Sequence, residues 1–231
     1  MEDFLINTSL EISRISRSSW FRIVINERVI HLDPGFSGFA SNQGIDPFSY
    51  EQDADYIFIT HPHKDHFRNE VIDAIKKPGT VIFGPLAVKS EYGEEVTLVK
   101  PNDILHRNDI SIQVVDAYNT ESGHSTKKYH HKGDFVGYIL TVADRRIYFA
   151  GDTDLIPEMS TFGQIDIAMI PIGGTYVMDM EEAIACTKIL NPKVVIPMHE
   201  ADTPLKDFEI SLKQVWSGKI VILSNQESII L

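Results

Sequence analysis

"IFITHPHKDHF", residues Ile57 to Phe67, is an apolar run that breaks into three histidines and an aspartate within six positions. Four side chains that are costly to bury follow directly on a segment patterned as a buried strand. Pro62, between His61 and His63, favours extended backbone, because the residue before a proline is pushed out of the helical region. In extended backbone, residues two apart point the same way, so both imidazoles aim at one point. Asp65 and His66 follow where the chain turns towards a helix. Their side chains leave in a different direction, as ligands of a second ion a few ångströms away would. Two metals about 3.5–4 Å apart are a hydrolytic device. The bland reading, solvated turn and capping groups, holds for a lone histidine but not for H-x-H-x-D-H placed straight after an apolar strand.

Four donors cannot serve two ions, since zinc alone takes four, with one position left for water in a catalytic site. Further ligands are therefore expected at other strand ends. "RIYFAGDTD" ends a strand at Asp152, after a glycine that lets the backbone come close, and "VVIPMHE" ends another at His199. A carboxylate able to bridge two cations and one more imidazole are what the dinuclear centre lacks. The loop "NTESGHSTKKYHHKGD", residues 119–134, offers a final imidazole from His124, His130 or His131. Spacing does not choose among them. His31 and His106 lie in or beside strands without acidic or histidine company and read as structural.

Elsewhere, "WFRIVI" and "RVIHLD" flank a turn at Asn26-Glu27, and "FVGYILTV" and "RIYFA" flank one at Ala143-Asp144, both hairpins. "HFRNEVIDAIKK" predicts a helix that stops at Pro78-Gly79, before the strand "TVIFG", and "LAVKSEYG" a short helix. "DMEEAIACTKIL" opens with Asp179 and Glu182 in capping-box spacing. "PLKDFEISLKQVW" sets Leu205, Phe208, Leu212 and Val215 on one helical face. Strand-rich halves with interspersed helices imply two packed sheets covered by helices. No repeat or linker divides the chain, so one domain over residues 1–231 is expected.

With those residues in place, the chain resembles the metallo-β-lactamase superfamily, through "THPHKDH" (Thr60–His66), "HLDPG" (His31–Gly35), "AGDTD" (Ala150–Asp154) and "IPMHE" (Ile196–Glu200). "YHHKGDFVGYIL" and "PIGGTYVMDMEEA" are similar to a branch of small metal-dependent hydrolases. That branch is related to L-ascorbate-6-phosphate lactonase and to N-acyl-phosphatidylethanolamine phospholipase D. The resemblance implies an α/β fold, a four-layer αββα sandwich of two mixed β-sheets covered by helices. It implies that His61, His63 and His130 hold one metal and Asp65, His66 and His199 a second, with Asp152 bridging. His131 takes a place often held by proline, and "SGHST" around His124 is similar to a segment of a neighbouring branch. Two divalent ions are implied, with Zn2+ the first choice and Mn2+, Fe2+ or Ni2+ suited to the same donors. The implied chemistry is hydrolysis by a hydroxide held between the ions, with Asp65 orienting the nucleophile and shuttling a proton. Lys64 reads as solvent-facing. "GGTYVMD" is either a set of substrate contacts, with the Gly173 and Gly174 amides approaching an anion, or a tight turn. Asn119 is either a ligand contact or a turn residue.

The expected substrate is small and anionic, a phosphodiester or phosphorylated lactone. The competing expectation is a metal-binding or ligand-sensing module without turnover. A net charge of −12, from 21 basic and 33 acidic residues, argues against nucleic acid and anionic membranes as partners. The single cysteine, Cys186, excludes an intrachain disulfide. The chain opens without a basic and then apolar leader, and no window nears about 18 apolar residues. A cytoplasmic protein is expected, and a homo-oligomer is compatible with the sequence.

Overall fold

Both hairpins turn where expected, with Asn26 and Glu27 at φ 48° and 61°, and Ala143 and Asp144 at φ 46° and 58°. Two successive positive-φ residues match the right-handed twist of the strands they join. The computed structural model describes residues 9–38 and 44–231; the opening residues 1–8, where no leader is expected, lie outside. The described residues form two seven-stranded mixed sheets. The first contains β1 (Leu10–Arg14), β2 (Phe21–Ile25), β3 (Arg28–Leu32), β4 (Ala54–Phe58), β5 (Lys76–Gly84) and β6 (Val96–Leu98). The second contains β7 (Ile104–Arg107), β8 (Ile110–Asp116), β9 (Val136–Val142), β10 (Arg145–Phe149), β11 (Ile167–Pro171), β12 (Val194–Met198) and β13 (Lys219–Ile220). β14 (Ser228–Ile230) returns to pair with β1. In each sheet an antiparallel set gives way to a parallel one, at β3/β4 and at β10/β11.

β4 explains the apolar run before the histidines. Tyr56 and Phe58 face the core between the sheets, while Ile57 and Ile59 face a second cluster under α1 (Asn69–Ile75) and α2 (Leu86–Tyr92). A strand buried on both faces loses its alternation. Phe58 stacks on Phe83 at 4.8 Å and meets Tyr138 of the opposite sheet edge-on at 5.1 Å. On the far side, α3 (Met180–Leu190) and α4 (Leu205–Lys213) bury Ala183, Cys186, Phe208 and Leu212 against the second sheet. The layers are α, β, β, α, as expected.

Three local expectations need correction. The first helix ends at Ile75 rather than Lys77, because Lys76 already pairs with Ala54; the Pro78-Gly79 step bulges out of β5, with the Lys77 amide donating to Thr80 Oγ1. Val215 is exposed beyond α4, and Trp216 buries in its place. Half of the capping box forms: Asp179 accepts from the Glu182 amide at 2.9 Å, but Oε2 of Glu182 has no hydrogen-bond partner. Among the described residues no helix is long and apolar enough to cross a membrane.

Candidate metal centre

Asp33, Thr60 with His61, Asp152, Gly173 and His199 lie just past the C-terminal ends of β3, β4, β10, β11 and β12. Strand ends at a switch in sheet direction leave a crevice that side chains can enter from several strands. Asp152 occupies its middle. Its Oδ1 is 3.2 Å from His66 Nε2, and its Oδ2 is 3.4, 3.5 and 3.9 Å from Nε2 of His199, His130 and His61. Asp65 Oδ2 lies 3.3 Å from His199 Nε2 and 3.7 Å from His66 Nε2. His63 completes a cluster of rings 4.7 Å from His61 and 5.2 Å from His130. Ligand atoms of His61, His63 and His130 lie within 4.8 Å of one another, and so do those of Asp65, His66 and His199. All seven residues predicted from sequence therefore meet at one point. His130 is the loop histidine that joins them; His131 is exposed, and His124 pairs with Asp179 instead.

The orientation of the rings shows what the pocket is built for. His66 Nδ1 is bonded to the Asp33 carboxylate at 2.8 Å and to Ser19 Oγ at 2.7 Å, which turns Nε2 towards Asp152. Thr60 Oγ1 donates to Asp33 at 2.7 Å and can therefore accept from His61 Nδ1 at 2.9 Å, which bares His61 Nε2. His130 Nδ1 is held by Asn119 Oδ1 at 3.1 Å. Nε2 of His61, His66 and His130 and Oδ1 of Asp152 are buried and without a hydrogen-bond partner. Four orphaned polar atoms converging inside a protein would be strongly unfavourable without a cation, and imidazoles fixed through Nδ1 are how metal-ligating histidines are held. The residues fit divalent metal.

Electrostatics divide the rings: Asp152 and Asp65 hold His66 and His199 above the ordinary histidine range against their burial, while His61 and His130 fall below it. Burial, reinforced by the neighbouring His66, drives His61 well below the ordinary histidine range, and burial lowers His130 as well. Both present the neutral ring a metal needs. Burial would raise Asp152, but the His199, His66 and His61 rings outweigh it and hold the carboxyl well below the usual range. Asp65 is likewise lowered against its burial by His66 and His199.

Several residues outside the ligand set hold it in place. Asp33, fully buried, also accepts from the Thr60 amide at 2.7 Å. Asn119, read as a ligand contact or turn residue, bonds Asp154 and the Tyr176 carbonyl as well as His130, and so places that ring. His199 sits at φ 49°, a conformation uncommon for a side-chain-bearing residue, with its amide on the Ser18 carbonyl at 3.0 Å. The next residue, Glu200, is held by buried Arg14 at 2.5 Å. In "GGTYVMD" the Gly174 amide is bonded to the Met178 carbonyl, as in a turn, while Gly173, Thr175, Tyr176 and Val177 line the cleft over the site. A Cβ on Gly173 would lie 2.4 Å from the His199 carbonyl oxygen. His31 is structural as expected, bonded to Trp20 and Asp53. Gly35 packs against the histidine loop, where a Cβ would come within 2.4 Å of the Phe67 amide nitrogen and 2.5 Å of the His66 carbonyl carbon. Gly35→Ala is expected to cost about 1–3 kcal/mol, the range for overpacking. An unchanged urea midpoint would refute that.

A cleft of about 660 Å3 opens over Asp65 and His199, bordered by Arg17, Ser18, Tyr176 and Asn225. Its size suits a small molecule. The family model for the beta-lactamase superfamily domain matches residues 11–199. The chain belongs to the metallo-β-lactamase superfamily. Within that superfamily it is 33% identical over 223 residues to a UPF0173 metal-dependent hydrolase of Staphylothermus marinus, covering 91% of this chain and 94% of the relative. A crystal structure from Parabacteroides distasonis, of a candidate metal-dependent hydrolase, superposes with a TM-score of 0.83 at 31% identity over 94% of each chain. The metallo-hydrolase Igni18 of Ignicoccus hospitalis shares the fold, with a TM-score of 0.76 at 23% identity and coverage of 97% and 99%.

Proposed function

We propose that this metallo-β-lactamase-superfamily chain is a metal-dependent hydrolase with a dinuclear centre, acting on a small anionic phosphodiester or phosphorylated lactone. The observation that carries the reading is the position of Asp152, one carboxylate facing imidazoles of both ligand groups. His61, His63 and His130 would hold one ion, Asp65, His66 and His199 the other, and Asp152 would bridge. Two divalent ions so held supply Lewis acidity and lower the pKa of water at neutral pH. Asp65 borders the cleft and is the residue to orient the attacking water. Its lowered pKa favours accepting a hydrogen bond over storing a proton. Arg17 lines the cleft wall, where its guanidinium donates to the Ala201 carbonyl. A net charge of −12 supports a small substrate over a polyanion.

Hydrolysis of bis(p-nitrophenyl) phosphate and of a phosphorylated lactone is expected to disappear on chelation and return with Zn2+ or Mn2+. Protein loaded with two ions that cleaves neither ester nor lactone would instead be a metal-dependent binding module. Elemental analysis of protein purified without added salts identifies the ion.

A further inference from the structure

We propose that His124, Asp179 and Glu182 form a separate divalent-cation site that clips the loop leading to His130 onto the start of α3. The three share no residue with the centre at Asp152, and one ligand atom from each lies within 4.8 Å of the others. His124 Nδ1 is 2.9 Å from Asp179 Oδ2, while the other oxygen of Asp179 caps the helix through the Glu182 amide. Asp179 thus keeps Oδ2 directed at the cluster.

Glu182 supplies the independent observation. It is only 6% exposed, yet its Oε2 is buried without a hydrogen-bond partner. In a capping box this carboxyl would reach back to the Asp179 amide. Here it is turned towards His124 and Asp179 instead. Burial raises the Glu182 carboxyl, and Asp154 and Asp179 add negative charge beside it, outweighing the hydrogen bond from the His124 amide and the nearby His124 ring. An unpaired buried oxygen costs about 1–3 kcal/mol. A cation bound by all three residues offsets both the repulsion and the missing bond. Lys128, the ammonium in the same loop, is already engaged by the Gly123 carbonyl, Ser125 Oγ and Asp154.

One imidazole and two carboxylates, completed by water, make a four-coordinate set suited to Zn2+ or Mn2+. Asn119, which holds His130, also bonds Ser125, the residue after His124. An ion here would therefore steady the loop that delivers a ligand to the main centre.

The test counts ions rather than turnover. Tag-free protein is dialysed against Zn2+ at pH 7, then against metal-free buffer, and zinc per chain is measured. His124→Ala alters an exposed ring and Glu182→Gln removes charge at constant shape, and circular dichroism checks that both fold. Each is expected to hold one zinc fewer per chain than wild type. Zinc content equal to wild type in either folded variant overturns the proposal. The difference is read whether or not the protein hydrolyses any ester.

Discussion

Asp152→Asn is expected to lower kcat/KM towards bis(p-nitrophenyl) phosphate by about 10³-fold or more, which is about 4 kcal/mol of transition-state stabilisation. Zinc content should fall in parallel. The size of the effect follows from the position of the residue: its two oxygens face four imidazoles drawn from both ligand groups. Among the described residues, Asp65 is the other carboxylate in these two groups, and it faces one of them. An asparagine keeps the shape but offers one neutral oxygen, so two cations held close together would lose the anion between them. The fold should survive at neutral pH. Asp152 holds His66 well above the ordinary histidine range against the effect of burial, and contributes to raising His199. Without that carboxylate these rings can release protons to solvent rather than remain as uncompensated buried charge. Full zinc content together with undiminished turnover in Asp152→Asn would remove the basis for a bridging role.

What could be read from sequence, and what could not, divides along a physical line. Ligands crowded into one strand end, as in His61–His66, announce themselves, because no core needs so many polar groups in so short a stretch. Asp152 and His199 are visible for a related reason, as polar residues closing apolar strands. The choice of His130 over His124 and His131 lay beyond spacing. It is made by Asn119, whose side chain accepts from both the His130 amide and its ring. β1 escaped notice because Ser13 and Arg14 are buried in it, which defeats a hydropathy pattern. Arg14 can be buried because Glu200, 186 positions away, and the Ser16, Arg17 and Leu223 carbonyls accept from it. β7 escaped for the opposite reason, as an edge strand with Ile104 exposed. The four layers were readable because alternation, hairpin turns and helix starts are local, whereas the residues that aim the ligands act across long separations in the chain.

Asp33 is the sharpest case, and its replacement tests the whole arrangement. Its Oδ1 accepts from the Thr60 amide, and its Oδ2 from both Thr60 Oγ1 and His66 Nδ1, at 2.7–2.8 Å. One buried carboxylate thereby reaches a ligand in each group: His66 directly, at the nitrogen that Ser19 Oγ also bonds, and His61 through the Thr60 hydroxyl. Asp33→Ala is expected to destabilise the protein by about 3–5 kcal/mol, the cost of breaking a buried charged network and stranding its donors. This is measured by urea denaturation of metal-free protein. Asp33→Asn separates structure from aim. An amide group at the Oδ2 position would face two donors. Relief comes if the Thr60 hydroxyl turns to donate to His61 Nδ1 and if His66 moves its proton to Nε2. Either change puts a hydrogen where a metal should bind. Zinc affinity is then expected to fall about 10–100-fold, with both ions affected. Thr60→Val, which cuts only the branch to His61, should weaken one ion and spare the other. Equal weakening of both ions by Thr60→Val, or none by Asp33→Asn, would show that the rings are aimed by packing rather than by this carboxylate.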